Sequence, residues 1–140
     1  MKCDGKANTL TIIKAKVIQL IFGAFASIAW DCSGQYKTDR NAFLFSLLNQ
    51  ENRPCKMKIR LNKIQSAIRC HALFGPTFGA GSDLSIANNA HKSMNSYSNL
   101  GSSYELPHHV YGSVEANSFL AGSRNFQAYD IEVYQRYLNF

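Results

Sequence analysis

The pattern of apolar and polar positions predicts a chain built mainly from short β-strands. Residues 9–13, TLTII, form a compact β-branched run, and residues 17–30 resume it after a break at Lys14 and Lys16. β-branched and aromatic residues favour strands, and Gly23 within the second run disfavours a helix. We expect two strands that can pair as a hairpin, although no Asn-Gly or Asp-Gly marks the turn.

A second hairpin is predicted over residues 42–61. Residues 42–48, AFLFSLL, are almost wholly apolar and predict a strand buried on both faces, whereas residues 31–41 before them predict a polar connection. Residues 49–54, NQENRP, carry turn residues. Residues 55–61, CKMKIRL, alternate strictly between apolar and basic side chains, which is typical of an antiparallel strand with one solvent-facing side.

The second half of the chain has weaker periodicity. Residues 67–73 and 84–87 predict short strands, while Pro76 and three glycines in residues 74–83 argue against a regular element there. Residues 88–110 predict a long loop, in which Tyr97 and Tyr104 offer apolar surface for packing. Residues 125–134 alternate again and predict a closing strand. Seven or eight short strands without a convincing amphipathic helix predict one mainly β domain, a two-sheet antiparallel β-sandwich.

Composition and charge narrow the functional classes. The net charge of +6 comes from fifteen Lys and Arg against nine Asp and Glu, and the basic residues are dispersed. This distribution favours a solvated basic surface over a nucleic-acid site. The four cysteines form no CxxC pair, which disfavours structural zinc. The start of the chain has no signal-peptide pattern, and its longest apolar run is too short to span a bilayer. We therefore expect no membrane insertion and a reducing, cytoplasmic setting.

Few residues form a pattern typical of a reaction centre. A phosphate-binding loop needs a Lys and a Ser or Thr that open a helix after its glycines, whereas the glycine-rich segment at residues 75–81 is followed by Ser82 and Asp83 and a predicted strand, so a tight structural loop is predicted. The four histidines lack metal-ligand spacing, and we predict neither a metal site nor a cofactor. Cys70 and His71 are adjacent, but neighbours on a strand face opposite sides. Asp130 and Glu132 share one face of the closing strand.

Seven sequence segments, taken in chain order, resemble the corresponding segments of the TLDc domain of oxidation-resistance proteins. These segments are KCDGKANTLTIIK, IFGAFASIAW, AFLFSLLN, AIRC, FGPTFGAGSDLSIA, NSYSNLGSSY and FLAGSRNFQAYDIEVY. They run over nearly the whole chain, and FGPTFGAGSDLSIA with the closing EVY strand is the most specific part.

The chain also departs from the family pattern. Relatives usually begin tens of residues earlier, with helical segments that pack on the sandwich, so the chain resembles an N-terminally shortened domain whose sheet could expose apolar surface. The family usually has an Asn-Gly turn where this chain has residues 16–19, KVIQ. Ala24 and Ala80 replace glycines that are common in relatives, and a left-handed backbone would tolerate their Cβ atoms poorly.

The resemblance implies a β-sandwich edged by short helices, with no established catalytic chemistry. It implies protection against oxidative stress and binding to the vacuolar-type proton-pumping ATPase. The candidate structural or partner-binding residues are Trp30, Gly75, Gly79, Gly81, Asp83, Gly122 and Glu132.

Two alternatives stay open on the sequence alone. One is a small hydrolase or redox-active protein that uses Cys70 and His71, or the Asp130 and Glu132 pair. The other is a carbohydrate- or ligand-binding sandwich that uses the Asn- and Ser-rich loop at residues 96–103. The non-functional interpretation of Asp130 and Glu132 is that they lie on a solvent-exposed sheet face, where their carboxylates pair with Arg124 or Arg136.

Overall fold

The computed structural model describes residues 5–73 and 75–136, so Cys3 lies outside the described part of the chain. Within these ranges it contains eleven strands, a short 3-10 helix at Leu61–Ser66 and a short α-helix, α1, at Val114–Ser118. The strands are β1 Thr9–Ala15, β2 Ile21–Ala26, β3 Ser33–Lys37, β4 Phe43–Leu48, β5 Cys55–Lys58, β6 Ile68–His71, β7 Gly75–Phe78, β8 Leu84–Ser85, β9 Ser96–Tyr97, β10 Asn125–Phe126 and β11 Ala128–Gln135.

The strands form two antiparallel sheets. The five-stranded sheet has the order β11-β1-β2-β4-β5, and the six-stranded sheet has the order β10-β9-β8-β7-β6-β3. The hairpins β1–β2 and β4–β5 are both present, as the sequence predicts. The predicted fold class, a mainly β two-sheet antiparallel sandwich with few short helices, is confirmed.

The core lies between the two sheets because apolar side chains alternate inward along their strands. The fully buried inward side chains include Ile13, Phe22, Leu44 and Met57 from one sheet and Ile68, Phe78 and Leu84 from the other. Phe22 packs edge to face on Phe126, with ring centroids 5.3 Å apart. Such pairs join the two sheets and add to the stabilisation from buried apolar area.

The turn of the first hairpin uses Gln19 in place of the usual glycine or asparagine. Gln19 has φ +57°, and the N–H of Ala15 donates to the carbonyl of Leu20 at 3.0 Å. The turn therefore places a residue with a side chain in the left-handed backbone region, which is unfavourable for residues other than glycine. The strand predicted over residues 17–30 is too long, since β2 covers only Ile21–Ala26.

Several local predictions are wrong. The connection predicted at residues 31–41 contains β3, and the segment predicted to be irregular at residues 74–83 contains β7. Pro76 is accommodated because its carbonyl accepts a hydrogen bond from the N–H of Ile86 at 2.9 Å, and only its N–H is missing. The strand predicted to be buried on both faces ends with exposed Leu47 and Leu48. Neither Ala24, which lies in β2, nor Ala80 has a positive φ, so the strain expected there is absent.

Gly23 lies at the centre of the five-stranded sheet, where it is paired with Ile12 and Phe45. A Cβ atom at this position would overlap the carbonyl oxygen of Thr11 and would lie 2.7 Å from the ring of Phe45. Only a hydrogen atom fits between the neighbouring strand and the aromatic ring.

We expect Gly23→Ala to lower the free energy of unfolding by about 3 kcal/mol, because the backbone on one side and a ring on the other must both shift. Urea unfolding measures this change. Gly112→Ala is the matched control, since Gly112 has φ +87° but no heavy atom near its Cβ direction, and it should lose only about 1 kcal/mol. Equal losses in both variants would contradict the steric account of Gly23.

Candidate functional site

Asp83 is a buried carboxylate that organises the long loop after β8. It is 0% exposed, and its oxygens accept hydrogen bonds from the backbone N–H groups of Gly101, Ser103 and Tyr104 at 2.9–3.1 Å. Burial raises the pKa of the Asp83 carboxyl above its ordinary value, and the hydrogen bonds from these backbone N–H groups oppose that rise. Asp83 is thus a structural anchor, enclosed by protein.

Gly79 and Gly81, two glycines of the candidate set, lie beside this anchor at positions where side chains would not fit. A Cβ at Gly79, which has φ +91°, would lie 2.5 Å from an Asp83 carboxylate oxygen, and one at Gly81 would overlap the Ser102 hydroxyl. Gly75 has φ +78° and lies against the backbone of Ile86. The glycine-rich segment therefore forms strand β7 and a tight turn after it.

Trp30 and Gly122 also occupy packed positions. Trp30 is 4% exposed, donates its Nε1–H to the Thr9 hydroxyl at 3.0 Å and meets the Phe78 ring edge to face at 5.3 Å. Gly122 has φ +88°, and a Cβ there would lie 2.8 Å from the side chain of Ile18.

The outer face of the five-stranded sheet carries an apolar surface, which we call the apolar face. Strand register places its members on one side, and they are Leu10, Ile12, Ile21, Phe25, Phe43 and Phe45. The rings of Phe25 and Phe43 stack with centroids 5.3 Å apart. All of these side chains except Phe45 are partly exposed. A contiguous apolar patch on a sheet is typical of an interaction surface.

Opposite charges border the apolar face along its two edges. Strand β11 contributes Asp130 and Glu132, which are paired with Lys14 and Ile12 of β1. On the other edge, β5 contributes Lys56 and Lys58. One row of paired residues, from Glu132 through Ile12, Gly23 and Phe45 to Lys56, therefore crosses the sheet from an acid to a lysine.

The acidic edge is open to solvent. Both Asp130 and Glu132 are exposed, and Glu132 accepts a hydrogen bond from the Tyr134 hydroxyl at 2.7 Å. Arg124, one of the two arginines expected to pair with this edge, instead stacks over the ring of Tyr97 at 4.7 Å.

The structure separates the proposed catalytic pair of Cys70 and His71. Cys70 is 3% exposed and belongs to the core, whereas His71 is half-buried and lies on the outer side of β6. The Nδ1 atom of His71 accepts a hydrogen bond from the N–H of Leu73 at 3.1 Å. The two side chains therefore lie on opposite sides of β6.

The Ser-rich loop is largely interior. Ser96, Ser98 and Ser103 are buried, and the Ser98 hydroxyl donates to the carbonyl of Asp83 at 3.1 Å. The Tyr104 hydroxyl donates to the carbonyl of Ala67 at 2.8 Å. The Ser96 and Ser103 hydroxyls instead accept hydrogen bonds from the backbone N–H groups of Ala87 and Ala80. All four hydroxyls therefore bond within the protein.

Among residues 5–73 and 75–136, no group of three or more His, Cys, Asp or Glu side chains is arranged to hold a metal ion. The helices of this part of the chain are also too short or too polar to cross a membrane.

The sequence analysis expected that a sheet could expose apolar surface, but it did not identify the residues of the apolar face. It assigned residues 42–48 to a strand with two buried faces, because an apolar run alone does not distinguish a buried face from one left open for a partner. The signal that could have found it is the pair of flanking strands, one with outward acids and one with outward lysines.

We expect Asp83→Asn to lower the free energy of unfolding by about 2–4 kcal/mol. The amide replaces one acceptor oxygen by an NH2 group that faces backbone N–H donors, so buried donors lose their partner. Urea unfolding at neutral pH measures the change. Asp31→Asn, which alters an exposed carboxyl beside Lys37, should have a much smaller effect. If the two variants unfold at the same urea concentration, Asp83 is not the anchor described above.

Comparison with known proteins agrees with this architecture. The sequence profile of the TLDc domain matches residues 1–136 of the 140-residue chain. No curated protein sequence matches the chain. Because the matched range covers nearly the whole length, the chain belongs to the TLDc domain family.

Proposed function

We propose that the chain is a non-enzymatic interaction module of the TLDc type. Its partner is the peripheral part of the vacuolar-type proton-pumping ATPase, its setting is the cytoplasm, and its cellular role is protection against oxidative stress. The choice of partner and role rests on the family, and the observation in this chain that supports protein binding is the apolar face.

The chemistry of the apolar face suits a protein partner. Large apolar side chains supply the area whose removal from water drives association. The Phe25 and Phe43 rings offer rigid contact surface, and the Lys56 ammonium lies 4.3 Å from the centroid of the Phe43 ring. An apolar centre with a polar rim is the usual anatomy of a protein interface.

The two charged edges give the proposed interface a direction. A partner segment with basic residues toward β11 and acidic residues toward β5 would match both edges at once. Turning that segment end for end would place like charges together at Glu132 and at Lys56, which disfavours the reversed orientation.

Affinity capture with the folded 140-residue chain, compared with a heat-denatured sample, tests the proposal. We expect enrichment of subunits of the peripheral part of the pump on the folded bait, identified by mass spectrometry. A bait that unfolds cooperatively but retains no pump subunit would contradict the proposed partner.

The double variant Glu132→Lys with Lys56→Glu should weaken binding to the purified peripheral part of the pump by about tenfold. Two exposed rim pairs contribute about 0.7 kcal/mol each, and 1.4 kcal/mol corresponds to tenfold in affinity. Biolayer interferometry at low and high salt measures the effect, which should shrink at high salt.

Glu115→Lys with Lys92→Glu is the matched control for this double variant. It reverses one acid and one base, keeps the net charge and alters two exposed residues outside the apolar face. If the Glu132 and Lys56 variant binds as tightly as the unchanged chain, or if the control loses as much affinity, the apolar face is not the surface that binds the pump.

A further inference from the structure

The outer face of the six-stranded sheet carries a groove whose chemistry differs from that of the apolar face. The groove has a volume of about 880 Å³. One row of paired residues crosses all six strands and forms its floor and ends: Tyr36, Arg69, Thr77, Ser85, Tyr97 and Asn125.

An arginine stacked on a tyrosine stands at each end of this row. The guanidinium carbon of Arg69 lies 5.1 Å from the ring centroid of Tyr36, and that of Arg124 lies 4.7 Å from the centroid of Tyr97. Cation–π stacking of this kind holds a guanidinium in a fixed plane.

Further hydrogen bonds hold each arginine side chain in place, but they use only some of the N–H donors of its guanidinium group. The Nε–H of Arg69 donates to the carbonyl of Gly34 at 2.8 Å. Arg124 donates from Nε to Asn99 and from Nη1 to Asn125, both at 3.1 Å. A guanidinium carries five N–H donors, so each arginine keeps N–H groups for a ligand.

The floor between the two arginines is small and polar. Thr77 and Ser85 lie side by side, with hydroxyl oxygens 3.4 Å apart. The carboxamides of Asn88 and Asn95 also line the groove, and the described lining residues include no Asp or Glu. Two cations without a neighbouring acid create a positive potential that attracts anions.

The stacking geometry favours carboxylates over bases or sugars. One face of each tyrosine ring is occupied by a guanidinium, whereas single-stranded nucleic acids and sugars are bound mainly by exposed ring faces. A guanidinium with N–H groups left over from its hydrogen bonds within the protein can bind a carboxylate in a bidentate arrangement.

We propose that this groove binds an extended acidic peptide, with one carboxylate on Arg69 and another on Arg124. Arg69 lies on β6 and Arg124 directly precedes β10, so their strands are four strand spacings apart, about 19 Å. An extended peptide that lies across the strands advances about 3.3 Å per residue, so side chains six residues apart on one face span about 20 Å. The polar floor accommodates the small residues between them.

Fluorescence anisotropy with labelled nine-residue peptides tests the proposal. The probe has Glu at positions 2 and 8 in a Gly-Ser scaffold, and its controls carry Gln at both positions or Glu at positions 2 and 3. We expect the probe to bind at least about tenfold more tightly than the Gln peptide, and the peptide with adjacent acids to fall between them.

The arginines are tested by Arg69→Gln and Arg124→Gln, each of which should weaken binding of the probe about tenfold. Arg40→Gln, at an exposed arginine outside the groove, makes the same charge change and should leave binding unchanged. If Arg69→Gln unfolds the chain, Thr77→Glu replaces it, because this variant puts an acid on the floor and should abolish binding.

Several results would overturn the proposal. They are equal affinity for the Glu and Gln peptides, undiminished binding by the Arg124→Gln variant, and displacement of the probe by single-stranded RNA or an uncharged oligosaccharide at lower concentration than by the unlabelled peptide. The groove and the apolar face lie on opposite sheets, so the Glu132 and Lys56 double variant should bind the probe normally. Failure of pump capture would therefore leave the acidic-peptide proposal standing.

Discussion

The interaction on which the rest of the structure depends is the set of backbone hydrogen bonds that Asp83 accepts from residues 101–104. These bonds hold the loop after β9 against the turn between β7 and β8. Within that loop, Tyr104 pairs with Ile59 beyond the end of β5 and donates its hydroxyl proton to the carbonyl of Ala67, just before β6. One buried carboxylate thus positions a tyrosine that ties the two sheets together, and a loop without periodicity becomes a fixed part of the core.

The same anchor reaches the groove. The backbone carbonyl of Asp83 accepts a hydrogen bond from the hydroxyl of Ser98. The side chain of the neighbouring Asn99 accepts a hydrogen bond from Arg124. The arginine at one end of the groove is therefore held by a loop that the buried carboxylate fixes, while Arg69 at the other end is held by β3 and β6. Preorganisation of this kind lowers the entropy lost on binding, because the ligand-facing groups need no further ordering.

The sequence predicted the elements that are set by residues close together in the chain. It did not predict the elements that form only by pairing with strands far away in the chain. The β4–β5 hairpin was predictable because an apolar run, a turn cluster and a strictly alternating run follow one another within residues 42–61. Strand β3 was not, because its partner β6 lies some thirty residues later and its own residues are mostly polar. The row from Tyr36 to Asn125 has no sequence signature, since its members become neighbours only through register across six strands. Asp83 was among the candidates through family resemblance. Its role as the acceptor of hydrogen bonds from backbone N–H groups became evident only from the structure.

The two outer faces show where a β-sandwich is free to acquire function. Inward positions are constrained by close packing, in which Phe22, Leu44 and Met57 are fully buried. Outward positions on central strands are less constrained, apart from Gly23, where a methyl group would not fit. They differ between the two sheets: one presents Phe25 and Phe43 between charged edges, and the other presents hydroxyls between two arginines. Association driven by the apolar face varies with buried area and weakly with salt, whereas recognition by the arginines is electrostatic and weakens as salt screens it. The salt dependence of binding therefore distinguishes the two surfaces even when both are present in one folded chain.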